Sequence, residues 1–351
     1  MKICIVTVYD SINSGSYWQA FALGQVLRSM GHEVCYFKRV KKGASSAKFT
    51  LFKRVLSLLL HGHFGEAGEF KIKIIKFKKC AKNFRIISRA DKEFESVDYF
   101  ILGSDTIWNQ DSKYFLRCKS VFWGDIFKEQ RIISYAGSLA NTKAEKLVPK
   151  NEYSKSLSRW KSISVRDEYT KQVFSKLTDK DIKVVCDPTL LLELKDYKSL
   201  AKPVGGDYIF IYLFKALSKD QDRELKDFAS ENGLKIVVGT YRNIVSQPYD
   251  FIINNPTDFM GHMLGAKYVV TDTFHGTIFS ANLQKNFVVI DRSKKKVNGF
   301  LESVHLEDRI INDKLSISEV LSRSVDYSTA DSIIKRIRKD SISYLKSSLA
   351  D

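Results

Sequence analysis

Short runs of β-branched and aromatic residues alternate with stretches of helical periodicity along most of the chain. Of all the features of the sequence, this alternation restricts the possible folds most. Residues 2–8 form one such run, residues 14–30 repeat apolar side chains at helical spacing, and residues 33–37 form the next run. Ser14 or Ser16 is placed to cap the helix. A strand, a helix and a second strand in this order predict the βαβ unit of a parallel sheet.

The same rhythm continues in two sets. Further strands are predicted at 98–102, 131–135, 163–165, 183–186, 208–213, 234–238, 267–271 and 287–290. At about 150 residues per domain, a chain of 351 residues suits two domains. We therefore predict two Rossmann-like parallel-sheet domains, 1–195 and 196–351, with the last helix able to pack back on the first domain. Ligands of such sheets lie beyond the carboxyl ends of the strands.

Positive charge is concentrated in one segment. The chain has a net charge of +17, and residues 38–85 hold 14 Lys and Arg against two Glu. Leucine, isoleucine and phenylalanine are interleaved with these cations, which predicts a basic helical insertion at about 40–90. Such helices can lie on an anionic membrane surface, bind nucleic acid, or remain solvated. We favour the first and third of these, and expect no nucleic-acid partner.

Cysteine and histidine usage indicates no structural metal. The five cysteines are odd in number and contain no CxxC pair, which is typical of buried thiols in a reducing compartment. His61 and His63 form an HxH pair, but no further ligand cluster stands near them. We find neither a signal peptide nor an apolar run long enough to span a membrane. We therefore expect a cytoplasmic protein, with contact at the inner membrane face as its only membrane association.

The most chemically suggestive motif is TDTFHGT at 271–277, which follows a strand and opens an apolar helix. Backbone N–H groups at a helix N-terminus attract phosphate or carboxylate. Histidine is the commonest acid/base catalyst, and Gly276 would allow a ligand to approach closely. His275 is the candidate catalytic residue, and a histidine that only caps the helix is the alternative. Thr273, Gly276 and Thr277 are candidate anion-binding residues.

Arg166 follows a short predicted strand in the sequence SVRD. An arginine at a strand end suits bidentate binding of a carboxylate or a phosphate. The alternative is a weak surface pair with Asp167 or Glu168.

Asp105, Trp108 and Asn109 follow another predicted strand in the sequence GSDTIWN. An aromatic face with polar neighbours suits a saccharide, so these three residues are candidates for binding an acceptor. The alternative is that Asp105 only caps a helix.

The loop between the first strand and the first helix, NSGSYWQ, is rich in glycine and serine. Ser14 and Gly15 could bind an anion there, although the loop is neither GxGxxG nor a P-loop. A plain connector is the alternative. The sequence CDPT at 186–189 is predicted to be structural, because Pro188 fixes a turn.

Taken together, these motifs resemble the polysaccharide pyruvyl transferase family. The stretches that carry the resemblance occur in the family's order and span most of the chain. They are NSGSYWQAFALGQVLRSMGHEV (13–34), ILGSDTIWNQ (101–110), ISYAGSLA (133–140), SISVRDEYT (162–170), VVCDPTLLL (184–192) and GAKYVVTDTFHGTIFSANL (265–283).

The resemblance implies a GT-B-like arrangement of the two domains with an interdomain cleft. It implies phosphoenolpyruvate as the donor, a saccharide acceptor that is often lipid-linked, surface polysaccharide synthesis, and no metal or organic cofactor. His275 matches the family's catalytic histidine and Arg166 its donor-binding arginine. Some relatives carry a second arginine where this chain has Thr273. We expect Arg166 and His275 to bind one small dianion together.

Two other functions remain open from the sequence. A GT-B glycosyltransferase would use similar helix N-termini to bind a nucleotide sugar, but no acidic residue is clearly placed for a nucleotide ribose. A non-catalytic basic protein that binds membrane or nucleic acid would not need His, Arg and Asp at separate strand ends.

Overall fold

The computed structural model describes residues 1–39, 56–57, 60, 64–127, 131–148, 151–240, 244–292, 295–311 and 315–350. Much of the predicted basic insertion, including His61 and His63, lies outside these residues. The chain forms two compact units, Met1–Leu191 with Ile337–Asp351, and Leu192–Arg336. Both are α/β units built on parallel strands, which confirms the predicted fold class.

The first unit contains strands and helices that alternate as the sequence pattern predicts. They are β1 (Lys2–Val6), α1 (Ser14–Ser29), β2 (Glu33–Phe37), α2 (Phe64–Cys80), β3 (Ile86–Ile87), β4 (Tyr99–Leu102), α3 (Lys113–Leu116), α4 (Lys119–Phe122), β5 (Arg131–Ser134), α5 (Asn151–Arg159), β6 (Ile163–Val165), α6 (Glu168–Phe174) and β7 (Ile182–Val184).

The strand order of the first unit reverses next to β1. The parallel sheet runs β3-β2-β1-β4-β5, and β6 pairs with β7. The amide of Ser134 donates to the carbonyl of Ser162 at 3.1 Å, so β6 continues the sheet beyond β5. The chain therefore turns in opposite directions from β1 and β4, and open α/β sheets bind ligands beyond the carboxyl ends of such strands.

Continuous apolar strands explain why these sheets are buried on both faces. Ile3, Cys4, Ile5 and Val6 of β1 are all fully buried. Strands covered by helices on both sides read as unbroken apolar runs rather than alternating ones. In the register of the sheet, Cys4 lies between Cys35 and Phe100. The carboxyl ends of these parallel strands, where polar residues begin, therefore lie together at one edge of the sheet.

The second unit repeats this design. Its elements, with a last helix shared between the units, are α7 (Leu194–Leu200), β8 (Tyr208–Tyr212), α8 (Lys219–Glu231), β9 (Lys235–Val238), β10 (Asp250–Phe251), α9 (Pro256–Gly265), β11 (Tyr268–Thr271), α10 (Phe274–Asn282), β12 (Asn286–Ile290), α11 (Lys295–Ser303), β13 (Ile310–Ile311), α12 (Ile317–Ser322) and α13 (Ser328–Leu349).

The sheet of the second unit runs β10-β9-β8-β11-β12-β13, with all neighbouring strands parallel. Its order reverses between β8 and β11, just as the first sheet reverses between β1 and β4. From Ile337 onward the chain, including the end of α13, belongs to the first unit. Within the part of the chain that the structure describes, every helix is too short or too polar to cross a membrane.

Candidate active site

Asp105 lies at the strand reversal of the first unit, directly beyond β4. Its Oδ2 accepts a hydrogen bond from the hydroxyl of Ser16, in the first turn of α1, at 2.9 Å. Its Oδ1 accepts from the amide of Thr106 at 2.7 Å. Its backbone is left-handed, with φ of 71°, a conformation that aspartate tolerates better than most residues. The half-buried carboxylate therefore joins the loops that follow β1 and β4.

Asn13, rather than Ser14 or Ser16, caps α1. Its side-chain oxygen accepts from the amides of Gly15 at 2.8 Å and Ser16 at 3.3 Å. The predicted serine cap is therefore wrong, because the asparagine stands one residue before the helix. The Gly15 amide donates to this cap, and its predicted contact with an anion stays a prediction. The buried Ser14 stays a prediction.

Trp108 is part of the core of the first unit. Its indole N–H donates to the carbonyl of Phe122 at 3.0 Å, and its ring stacks on Trp160 with centroids 5.7 Å apart. The side chain is fully buried. A covered ring cannot stack on a sugar, so the predicted acceptor contact of Trp108 is wrong.

Asn109 shapes the loop that it belongs to. Its Oδ1 accepts from the amide of Asp111 at 2.8 Å and from the hydroxyl of Thr142 at 3.1 Å. The side chain is half-buried. These bonds occupy the amide oxygen, and the acceptor contact predicted for this residue stays a prediction.

Arg166 is held by a carboxylate from the neighbouring strand. Its Nη1 lies 3.0 Å from Oδ2 of Asp187, which follows β7, and the two side chains are only 4% and 0% exposed. The other oxygen of Asp187 accepts from the amide and the hydroxyl of Thr189. The expected alternative, a weak surface pair with Asp167 or Glu168, is wrong, because β6 and β7 are adjacent and parallel.

Asp167 has a separate role as the N-cap of α6. One oxygen accepts from the amide and the hydroxyl of Thr170, and the other accepts from the hydroxyl of Ser138 at 2.6 Å. The amide of Arg166 donates to the carbonyl of Gly137 at 3.0 Å. The loops that follow β5 and β6 are thus tied together around Arg166, which limits the positions that its side chain can take.

Cys186 precedes the carboxylate of this pair. Burial raises the pKa of its thiol to about 11. The thiol is therefore neutral near pH 7 and is a poor nucleophile, since the thiolate is the reactive form. The charged pair next to this thiol is Arg166 and Asp187.

His275 lies in the first turn of α10, directly beyond β11. Thr273 is the N-cap of this helix, and its hydroxyl accepts from the amide of Gly276 at 2.9 Å. The histidine is half-buried, whereas its neighbours in the helix are buried. The structure thus places His275 at the strand reversal of the second unit, where backbone N–H groups at the helix start favour an anion.

The residues around His275 bond to one another. The hydroxyl of Thr277 donates to the carbonyl of Thr273 at 2.8 Å, and Thr277 is fully buried. A Cβ at position 276 would lie 2.2 Å from Oγ1 of Thr271. Gly276 is therefore required for packing, and its amide is used by the cap. Thr273, Gly276 and Thr277 thus have structural roles, and the donor contacts predicted for them stay predictions.

Asp272 was not identified from the sequence. Its fully buried carboxylate accepts from the amides of Phe214 at 2.9 Å and Lys215 at 3.2 Å, which follow β8. Oδ2 also lies 3.7 Å from Nε of Arg292, which follows β12. An aspartate therefore joins two loops at the strand reversal of each unit. Its position directly after a buried strand was the only signal in the sequence.

The ionisable groups at these edges form no metal cluster. In the described ranges, no group of three or more His, Cys, Asp and Glu is arranged to hold a metal ion. The five cysteines, all of them in the described ranges, are not in disulfides. In the first unit, Arg166 held by Asp187 suits binding of an anionic substrate, and in the second unit, His275 at a helix start suits proton transfer.

Comparison with known proteins agrees with this fold. The family model described as polysaccharide pyruvyl transferase matches residues 13–294, a range that contains both Arg166 and His275. A comparison with curated proteins gives no match.

Two solved structures illustrate the structural likeness. S. aureus MnaA, in a co-structure with UDP, is 10% identical with a TM-score of 0.50 and covers 97% of this chain and 90% of its own. A UDP-N-acetylglucosamine 2-epimerase is 9% identical with a TM-score of 0.51, and the match covers 98% of this chain and 96% of the epimerase. At such low identity the likeness shows the fold alone, and it agrees with two Rossmann-like domains of the GT-B class.

Proposed function

The chain belongs to the polysaccharide pyruvyl transferase family, and we propose that it transfers the pyruvyl group of phosphoenolpyruvate to a saccharide as a cyclic ketal. We further propose that the reaction serves surface polysaccharide synthesis and that the acceptor is carried on a lipid. Phosphoenolpyruvate is a co-substrate in this proposal, and no metal or organic cofactor takes part.

The observation that carries the proposal is the position of His275. It is the half-buried member of an otherwise buried helix start, directly beyond β11 at a strand reversal. Parallel α/β sheets bind ligands at this place, and helix starts favour phosphate and carboxylate. Phosphoenolpyruvate carries both of these groups.

Arg166 is the proposed anion-binding residue of the first unit. Its Nη1 is fixed on Asp187, and the planar guanidinium has further N–H groups in a rigid fork. Because a side chain that is already oriented loses little freedom on binding, this arrangement favours a firm contact with a carboxylate or phosphate.

The proposed chemistry begins with proton transfer from an acid to the methylene carbon of phosphoenolpyruvate, which becomes a methyl group. The central carbon then accepts the oxygen of one saccharide hydroxyl, whose proton passes to a base. The bond from this carbon to the phosphate oxygen breaks, and phosphate leaves with its electron pair. A neighbouring hydroxyl closes the ketal and gives up its proton. We assign the acid/base role to His275.

Asp105 is the proposed acceptor-orienting residue. Its carboxylate is half-buried, and its two oxygens already accept from Ser16 and Thr106. A carboxylate accepts hydrogen bonds from hydroxyl groups, so Asp105 suits the orientation of a sugar hydroxyl. Holding the acceptor hydroxyls in place would lower the entropic cost of the reaction.

The test is a product assay. The full chain is incubated with phosphoenolpyruvate and a panel of saccharide and lipid-linked saccharide acceptors. We expect phosphate release that depends on the acceptor, together with a product whose mass has increased by one pyruvyl ketal. Transfer from a nucleotide sugar without consumption of phosphoenolpyruvate would instead identify a glycosyltransferase and refute the proposal.

A further inference from the structure

Helix α2 has two apolar sides, of which one is buried. Ala67, Phe70 and Phe77 are buried. Phe64, Ile72 and Ile75 are 69%, 46% and 66% exposed. We call these three exposed residues the apolar stripe of α2. Exposing three large apolar side chains on one helix face is unfavourable in water, and grouped exposure of this kind marks an interaction surface.

Helical geometry places the stripe on one continuous face. At 3.6 residues per turn, Phe64, Ile72 and Ile75 fall within an arc of about 80°. Just before α2, Leu56 and Leu60 are also exposed. Their spacing of four residues corresponds to about one helical turn. Leu56 and Leu60 are thus further exposed apolar residues close in sequence to the stripe.

Lysines lie along both borders of the stripe. By the same geometry, Lys71 and Lys78 lie on one side and Lys76 on the other, with Lys79 at the end. Lys71, Lys78 and Lys79 are exposed. Glu66 and Glu69 are the only acidic residues of the helix; Glu66 lies about 120° from the nearer edge of the stripe, and Glu69 lies just beyond Lys76. The face thus combines an apolar centre with a cationic border.

These two properties together favour one kind of partner. Nucleic acid would bind the lysines through its phosphates and would stack bases on aromatic side chains, but it offers no continuous apolar surface for a row of exposed isoleucines. A second copy of the chain could cover the stripe, but it would bring lysines against lysines. An anionic lipid surface accepts apolar side chains below the headgroups and pairs lysines with lipid phosphates.

We propose that α2 docks on an anionic membrane surface, with Phe64, Ile72 and Ile75 below the headgroups and Lys71 and Lys78 against lipid phosphates. This inference goes beyond the pyruvyl transfer proposed above and does not depend on it. It requires only that the apolar stripe of α2 stays exposed in solution.

The experiment measures binding of the full chain to vesicles by co-flotation. One vesicle is phosphatidylcholine alone, and the other contains about 30% phosphatidylglycerol. We expect binding only to the second vesicle, and at least tenfold weaker binding when KCl is raised from about 0.1 M to about 0.5 M. Equal binding to both vesicles, or to neither, would overturn the inference.

Variants separate insertion from simple charge attraction. Ile72→Glu and Ile75→Glu should each weaken binding at least tenfold, and the double variant Lys71→Gln/Lys78→Gln should weaken it about fivefold or more. The matched control is Leu116→Glu, because Leu116 is 43% exposed and lies on α3. Lys195→Gln, at an exposed lysine of α7, is the charge control. Both controls should bind within about twofold of the wild type.

Three results would contradict the inference. The first is binding that the lysine variant weakens and the isoleucine variants do not, since the stripe would then not insert. The second is tighter binding to duplex DNA than to the anionic vesicle. The third is a dimer in sedimentation that Ile75→Glu dissociates, because a second copy would then be the partner. Circular dichroism should show that all the exposed-site variants fold normally.

Discussion

Nη1 of Arg166 donates to Oδ2 of Asp187 at 3.0 Å, and the pair is almost fully removed from solvent. The two residues follow adjacent parallel strands, β6 and β7. Because a buried charge without a partner is costly, each residue fixes the other at the carboxyl edge of the sheet. Asp187 therefore acts as the positioning residue for the proposed donor contact of Arg166.

Removal of Asp187 should affect both stability and donor binding. Asp187→Ala leaves the buried guanidinium without its carboxylate, so we expect the free energy of unfolding to fall by about 3–5 kcal/mol. The milder Asp187→Asn should fold but bind phosphoenolpyruvate at least tenfold more weakly. Urea unfolding and calorimetry measure the two effects.

The matched control is Asp181→Asn, because Asp181 forms an exposed pair with Lys183 at 2.8 Å. That variant should have the free energy of unfolding and the affinity for phosphoenolpyruvate of the wild type. In a double-mutant cycle, the effects of Arg166→Gln and Asp187→Asn on the free energy of phosphoenolpyruvate binding should not be additive. Additive effects on binding would show that the aspartate does not act through the arginine.

Gly276→Ala should destabilise the protein by about 1–3 kcal/mol, because its Cβ would lie 2.2 Å from Oγ1 of Thr271. The control is Gly299→Ala in α11, where an added Cβ meets no atom within 4 Å. Alanine is the better helix former, so the control should be neutral or more stable by up to ~1 kcal/mol. Thermal unfolding compares the two. Equal stability of both variants would argue against the close packing of Gly276 on Thr271.

Trp108→Phe should lower the free energy of unfolding by about 1–3 kcal/mol, since it removes buried ring atoms and the hydrogen bond to the carbonyl of Phe122. The KM for the saccharide acceptor should stay unchanged, because the ring is buried. Unfolding and initial-rate measurements test these statements together. A raised acceptor KM with unchanged stability would restore the sugar contact predicted from the sequence.

His275→Gln should keep affinity for phosphoenolpyruvate within about threefold and lower kcat by about 10²–10⁴-fold, the usual contribution of an acid/base group. His32→Gln in the first unit is the control and should leave kcat unchanged. Turnover and calorimetric binding are measured on the same preparations. Near-normal phosphate release by folded His275→Gln would remove the acid/base role.

The fold could be predicted from the sequence because it depends on local periodicity. Unbroken apolar runs such as residues 3–6 mark buried parallel strands, and helical spacing marks the segments between them. The strand ends in turn predicted where Arg166 and His275 lie. The strands and helices, and the positions of these two residues at strand ends, can both be read from neighbouring residues in the sequence.

Contacts between distant residues could not be predicted in this way. The partner of Arg166 depends on the pairing of β6 with β7, which brings Asp187 beside it. The burial of Trp108 depends on Trp160 and Phe174, which are distant in the sequence. The need for glycine at 276 comes from Thr271, across a turn. Each of these follows from packing rather than from local pattern.

The central claim is that phosphoenolpyruvate is the donor, and calorimetric titration of the wild-type chain tests it most directly. Phosphoenolpyruvate and UDP-N-acetylglucosamine are titrated separately, and then each in the presence of the other. We expect saturable binding of phosphoenolpyruvate that the nucleotide sugar does not displace. Saturable binding of the nucleotide sugar with no heat from phosphoenolpyruvate would contradict it.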